Sequence, residues 1–169
     1  MALSPVAIDL DGALGDTRPL WDDFLVDAAR RYASIAPLDP SALPEDRAAA
    51  AEELDRWAEQ GIGDWHSALE RFAEDRAPVH FRPSADAATA LRELAATGRR
   101  IGVYTDAPAE LAAVALAHLG AGRRVEIVET GSGARERLLA ELGPDTADAV
   151  TREDLVRISE SGRPEPATE

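Results

Sequence analysis

The chain has 169 residues and a formal net charge of −14, with 45% apolar residues and no cysteine. This composition suits one globular domain with a sizeable core, and it excludes disulfides, thiolate metal sites and cysteine nucleophiles. The negative charge disfavours nucleic acids and anionic membranes as partners. No apolar run is long enough to span a membrane and the first residues lack a signal-peptide pattern, so we expect a cytoplasmic, soluble protein.

The opening segment at residues 6–9 is an apolar run that ends in Asp9, and Asp11 and Gly12 follow it. The run predicts a short strand buried on both faces, and its closing acid lies at the rim of an α/β sheet, where ligands bind. Side chains alternate along a strand, so the two acids start on the same side. At ~4 Å two carboxylates repel by about 1 kcal/mol in water. A cation such as Mg²⁺ or a shared proton would relieve that repulsion. A hairpin turn at Asp11-Gly12 is the alternative, but no second strand follows at once.

Three helices are predicted next. Apolar spacing indicates one helix from Trp21 to Tyr32, a second from Ser41 or Pro44 to about residue 60, and a third after Asp64. About 65 residues that are all helical by pattern therefore separate the first strand from the second.

The large aromatic residues of this segment recur at helical spacing, which favours packing inside the segment over contact with a substrate. They are Trp21, Trp57, Trp65 and Phe72. Trp21 is the best exception because it follows the acids closely, and Arg18 is similarly placed to meet an anionic substrate. The three histidines share no metal-binding spacing, and we interpret them as structural or surface residues.

From Ser84 onward helices and strands alternate, which predicts a parallel sheet. Ser84 is a candidate N-cap, and the strand at 101–105 ends in Thr105. The remaining predicted elements are a Pro108-led helix to Leu119, a strand from Arg123 to Val128, a helix from Arg135 to Leu142, a weak strand at 147–150 and a helix from Thr151 to Ile158. The polar, proline-containing tail at 159–169 is expected to be disordered.

The run Asp9-Leu10-Asp11-Gly12-Ala13-Leu14-Gly15-Asp16-Thr17 resembles motif I of the haloacid dehalogenase (HAD) superfamily of phosphatases. The resemblance implies an α/β fold with a HAD-like Rossmannoid parallel sheet and a small all-helical cap inserted after the first strand. It divides the chain into a core at 1–16 and 82–158 and a helical segment at 17–81, which we call the helical insertion. It also implies that Asp9 is the nucleophile and Asp11 the general acid/base.

The other family motifs are matched less fully. Thr105 matches motif II, whose hydroxyl holds a phosphoryl oxygen, and Asp106 follows it. Motif III is usually a lysine, which this chain lacks, and Arg135 is the candidate to replace it. At motif IV, Arg152 stands where the family has a metal-binding acid, which leaves Glu153 or Asp154 to reach the metal. The alternative is that Thr151 and Asp154 form a capping box.

These features predict a Mg²⁺-dependent phosphomonoester hydrolase that acts on a small phosphorylated metabolite through an aspartyl phosphate. The candidate residues are Asp9, Asp11, Thr105 and Arg135 for catalysis, Gly12, Asp106, Arg18 and Trp21 for substrate binding, and Asp9, Asp11 (through its backbone carbonyl) and Asp154 for the metal. The alternative is a catalytically weak or inactive relative that acts as a binding or interaction protein. In that case Arg152 would serve as an internal cation in place of the metal.

Overall fold

The computed structural model describes residues 3–35 and 39–162 of the chain. Within them, four strands form one sheet in the order β3-β2-β1-β4, and every neighbouring pair is parallel. The strands are β1 (Val6–Asp9), β2 (Ile101–Thr105), β3 (Ile127–Thr130) and β4 (Ala147–Ala149). Because β1 lies between β2 and β4, its first three residues are buried on both faces, as their apolar run predicts. The predicted α/β fold with a parallel sheet is confirmed.

Seven α-helices lie within the described residues. They are α1 (Arg18–Tyr32), α2 (Arg47–Trp57), α3 (Trp65–His80), α4 (Ala85–Ala96), α5 (Ala109–His118), α6 (Ala134–Leu142) and α7 (Arg152–Glu160). The first three belong to the helical insertion between β1 and α4, and α3 packs against α5 of the core. No helix of the described part is long and apolar enough to cross a membrane.

The aromatic side chains of the helical insertion form a packed cluster. Trp21 and Trp65 are buried, and their rings lie 6.2 Å apart, centroid to centroid. Phe24 contacts both rings and also Phe72. The predicted packing is confirmed for Trp21, Trp65 and Phe72, whereas Trp57 is only partly buried. Trp21 is 3% exposed, so its side chain is not available to a substrate. This burial contradicts the prediction that Trp21 binds the substrate.

Two predicted boundaries are wrong by several residues. The second helix begins at Arg47, because the carboxylate of Asp46 accepts a bond of 2.9 Å from the amide of Ala49 and sets the N-cap there. The third strand is Ile127–Thr130 instead of 123–128. It has one neighbour and is only half-buried, so its apolar pattern is weak.

The last helix extends to Glu160, two residues beyond its predicted end and into the segment expected to be disordered. Residues 163–169 of that predicted tail lie outside the described residues, as do residues 36–38.

The histidines of the helical insertion pair with carboxylates. His66 of α3 contacts Asp55 through Nε2 and Glu110 through Nδ1, both at 2.9 Å. His80 contacts Asp23 at 3.1 Å. These contacts agree with the interpretation of the two residues as structural.

Candidate active site

The carboxyl ends of β1 and β2 bring Asp9 and Thr105 to the same edge of the sheet, because Asp9 is in register with Tyr104. After Asp9 the chain makes one wide helical turn, Leu10–Leu14, and the amide of Asp11 donates to Asp9 Oδ1 at 3.0 Å. Gly12 lies in this turn against the segment that follows β4. A Cβ at Gly12 would overlap the carbonyl oxygen of Val150, so the turn requires glycine at this position.

The carboxylate of Asp11 accepts two hydrogen bonds on each oxygen. Oδ1 accepts from the amide of Thr17 at 2.7 Å and from its hydroxyl at 2.5 Å. Oδ2 accepts from the hydroxyl of Thr105 at 2.7 Å and from Nη2 of Arg47 at 2.7 Å. The side chain is 10% exposed, and three separate segments of the chain hold it in place.

Arg47, the first residue of α2, carries the positive charge of this cluster. Its side chain is 6% exposed. Nη1 donates to the hydroxyl of Thr17 at 2.5 Å, Nη2 donates to both Asp11 and Asp106, and Nε donates to Asp106 at 3.1 Å. The guanidinium therefore joins the helical insertion to the ends of β1 and β2.

The two acids of the opening segment have opposite pKa shifts. Burial raises the pKa of Asp9, and the charges of Asp11 and Asp106 raise it further, although the backbone amides of Asp11 and Gly12 lower it. Burial also raises the pKa of Asp11. There the charge of Arg47 and the bonds from Thr17 and Thr105 outweigh burial, so the pKa lies below the ordinary aspartate value. Asp9 is thus the less compensated carboxylate.

A cleft of about 340 Å³ opens over these residues. Asp9, Asp11, Arg47, Thr105 and Asp106 line one side of it, and the start of α6 with Arg135 lines the other. The cleft therefore brings together most of the candidate residues predicted from the sequence.

The two arginines predicted to lie at the site are both at the edge of the cleft. Arg135 pairs with Asp148 through Nη2 at 2.7 Å, and the hydroxyl of Tyr104 donates to the same carboxylate at 2.9 Å. Arg18 also lines the cleft, but its side chain is 62% exposed and pairs with Asp16 at 2.7 Å. Both arginines are therefore paired with an acid at the cleft and remain partly exposed.

Asp154, the acid after β4 that was predicted to bind the metal, takes part in a helix cap. Thr151 and Asp154 form a capping box at the start of α7, and Arg157 donates to Asp154 Oδ1 at 2.7 Å. The capping-box alternative is therefore confirmed, and Asp154 is occupied as a helix cap. Arg152 donates to the carbonyl oxygens of Ala13 and Leu14, at 3.4 Å each, instead of to the acid pair.

The donor set does not fit a divalent cation. Mg²⁺ takes oxygen ligands in near-ideal octahedral geometry, usually with one or two carboxylates from the protein. Both carboxylate oxygens of Asp11 already accept two bonds each, and both oxygens of Asp154 accept bonds from Thr151 and Arg157. Asp9 and the backbone carbonyl of Asp11 are therefore left without the third ligand that the sequence predicts. Across residues 3–35 and 39–162, no group of three Asp, Glu or His side chains is placed to hold a metal ion. The positive charge beside Asp11 belongs to Arg47.

Sequence reasoning missed Arg47 and Thr17. A signal for Arg47 exists, because it precedes Ala50 and Leu54 by three and seven residues and so continues their buried stripe on α2. A charged residue in a buried stripe needs a partner, and here the partners lie 36 and 59 residues away along the chain. No local pattern identifies them.

Comparison with known proteins yields a limited result. No protein-family model matches the chain, and no curated protein matches it. Solved structures do match, among them the crystal structure of a HAD phosphatase from Thermococcus onnurineus, with 19% identity and a TM-score of 0.47. The alignment covers 76% of this chain and 62% of that one, so the chain spans about three-fifths of the length of that structure. At this identity the likeness concerns the fold alone.

Proposed function

We propose that the chain is a phosphomonoester hydrolase of the HAD type that acts on a small phosphorylated molecule. The observation that carries the proposal is the pair of acids in the cleft. Asp9 is half-buried and poorly compensated, whereas Asp11 beside it is fully hydrogen-bonded. A carboxylate with a raised pKa in a cleft is a stronger nucleophile than a solvated one, and functional sites are where such shifts concentrate.

The reaction proceeds in two steps from this arrangement. In the first, an oxygen of Asp9 attacks phosphorus, the ester bond breaks and the leaving oxygen takes a proton from Asp11, so an alcohol leaves and an aspartyl phosphate forms. In the second, water attacks the aspartyl phosphate, which releases phosphate and restores Asp9. Arg135 lines the cleft as a donor to the phosphoryl oxygens, and Thr105 becomes a second donor when its hydroxyl turns from Asp11 to the substrate. No step is assigned to Mg²⁺, because the donor set does not fit it.

Asp11 is the predicted proton carrier for both steps. In this structure its four hydrogen bonds and its lowered pKa hold it as a carboxylate. That state suits the second step, in which Asp11 accepts a proton from water, whereas for the first step Asp11 must first take up a proton from solvent and then give it to the leaving oxygen. To do so, one of its oxygens must be released by Thr17, Thr105 or Arg47, so catalysis requires a local rearrangement of these contacts.

Phosphate release from an aryl phosphate and from a panel of phosphorylated metabolites tests the proposal. We expect activity in the wild type and a loss on the order of a thousand-fold or more in Asp9→Asn, which removes the attacking oxygen anion. Asp22→Asn is the matched control, since Asp22 is an exposed residue of α1 outside the cleft. If the wild type is as inert as Asp9→Asn across the panel, the proposal is wrong.

A second candidate function is binding without catalysis. It is favoured by one observation, which is that Arg47 and two threonines occupy the carboxylate that would move the proton. A wild-type protein that binds inorganic phosphate or beryllofluoride in the cleft, with no turnover of any phosphate ester, would support this candidate over the first.

A further inference from the structure

The acid cluster at the rim of the sheet contains its own cation. Arg47 places Nη2 against both Asp11 and Asp106, Nε against Asp106 and Nη1 against Thr17. Its side chain is 6% exposed, so these contacts form away from bulk water. The planar guanidinium matches two carboxylates and a hydroxyl at once, which a spherical ammonium group could not do.

A free divalent cation would have to compete with this guanidinium. To reach a carboxylate oxygen of Asp11, the ion must displace Thr17 from Oδ1, or Thr105 and Arg47 from Oδ2. If Arg47 stays, the ion lies beside a like charge that no accessible pH removes, because arginine stays protonated in proteins. Because Arg47 belongs to the chain itself, its effective concentration at Asp11 and Asp106 is high, whereas a free ion must bind from solution.

The arginine comes from outside the core elements that carry the acids. Asp11 and Asp106 follow β1 and β2, whereas Arg47 is the first residue of α2 in the helical insertion. The insertion therefore supplies the counter-charge of the site in addition to covering it. Asp106 is 52% exposed, so its contact with Arg47 is the one most accessible to an incoming ligand.

We infer that Arg47 is the resident cation of this acid cluster and takes the place that a divalent metal ion would fill, so the wild-type site does not bind Mg²⁺. The ligand class of the cleft rests on the proposed function, but the cation assignment does not. Removal of Arg47 leaves Asp11 and Asp106 without the guanidinium that contacts both of them. Such a set of carboxylates then attracts a hard divalent cation.

Calorimetric titration of the full chain with Mg²⁺ alone, after treatment with a chelator, tests the inference. Arg47→Gln should bind Mg²⁺ at least about tenfold more tightly than the wild type. Arg47→Lys keeps the charge but not the planar set of donors, so its Mg²⁺ affinity should lie between those of the wild type and Arg47→Gln. Arg56→Gln is the matched control, because Arg56 lies on the same helix, is exposed and pairs with Glu53 outside the cleft. It should not differ from the wild type.

Saturable Mg²⁺ binding by the wild type that disappears in Asp9→Asn would overturn the inference, and this measurement does not depend on whether Arg47→Gln folds. Equal binding by folded Arg47→Gln and the wild type would also overturn it. Phosphate release with chelator present separates the two proposals. Release that requires Mg²⁺ leaves the hydrolase proposal standing and refutes the cation assignment. If no phosphate is released and the Mg²⁺ titrations give the expected results, the hydrolase proposal is refuted and the cation assignment stands.

Discussion

Two neighbouring segments leave the sheet at the same edge, one after β1 and one after β4, and their acids have very different surroundings. Asp11, after β1, is buried and accepts bonds from Thr17, Thr105 and Arg47, which belong to three different parts of the chain. Asp154, after β4, accepts bonds from Thr151, the N-cap of α7, and from Arg157 of that helix. The first acid organises long-range contacts around a cleft, and the second starts a helix.

The difference shows that topology alone does not decide where a site forms. Both segments follow parallel strands at their carboxyl ends, the position at which α/β sheets bind ligands. The β1 segment faces the helical insertion, where Arg47 of α2 contacts Asp11, whereas Asp154 of the β4 segment contacts an arginine of its own helix. The chemistry is therefore concentrated at β1 and β2.

The largest expected effect comes from removal of the cation on the β1 side. Arg47→Gln should lower the free energy of unfolding by about 3–5 kcal/mol, because it leaves Asp11 buried and uncompensated. The half-exposed Asp106 adds little to this loss. Urea unfolding measures the change. An m-value equal to that of the wild type, meaning the same slope of the free energy of unfolding against urea concentration, shows that the denatured state is unaltered.

Arg56→Gln is the control for that measurement and should change stability by less than about 0.5 kcal/mol. The double variant Arg47→Gln with Asp11→Asn should recover part of the loss, because it removes the unpaired charge as well. Equal losses in the Arg47 and Arg56 variants would show that Asp11 does not depend on Arg47.

A smaller loss is expected where the two segments touch. Gly12→Ala should lower the free energy of unfolding by about 1–3 kcal/mol, because its Cβ would press on the carbonyl of Val150 and push the segments apart. Gly122→Ala is the matched control, since a Cβ there meets nothing within 4 Å and its φ is not left-handed. Thermal unfolding compares the two, and similar stabilities would contradict the close approach at Gly12.

On the β4 side the expected effect is local. Thr151→Ala removes the N-cap of α7 and should lower the free energy of unfolding by about 1 kcal/mol. Phosphate release and phosphate binding should stay at the wild-type level, because neither Thr151 nor Asp154 lines the cleft. A parallel loss of stability and of phosphate binding would show that the β4 segment belongs to the site after all.

The smallest expected effect is a gain in stability. Asp9→Asn should raise the free energy of unfolding at neutral pH by less than about 1 kcal/mol, because it removes a half-buried charge beside Asp11. Since the pKa of Asp9 is raised by folding, its ionised form destabilises the protein above that pKa. The penalty disappears as the pH falls toward the unfolded value of about 3.9. The gain from Asn should therefore vanish in acid, and a gain that is independent of pH would contradict its electrostatic origin.

The features that sequence predicts well are local ones. Asp64, Ser84 and Thr151 act as N-caps because a side-chain oxygen reaches an amide only two or three residues ahead. The buried strand that ends in Asp9 is equally evident, because its apolar run and closing acid are contiguous. Thr105 follows from the same pattern on β2.

The features that sequence misses depend on how distant segments pack. We expected an internal cation from the β4 side at Arg152, whereas the structure places Arg47 of the helical insertion at Asp11. Both are arginines near the start of a helix, and nothing local to either one distinguishes them. Arg47 reaches Asp11 from the helical insertion, whose α3 packs against α5, whereas α7, which carries Arg152, packs against α4, β4 and the turn after β1.

The most direct test of this account is the pKa of Asp11, measured from its side-chain carboxyl ¹³C shift as a function of pH in the wild type and in Arg47→Gln. The account predicts that Asp11 of the wild type titrates below the ordinary value of about 3.9, and that its pKa rises when Arg47 is replaced. An Asp11 that titrates at the ordinary value, with the same pKa in both proteins, would contradict the claim that Arg47 is its counter-ion.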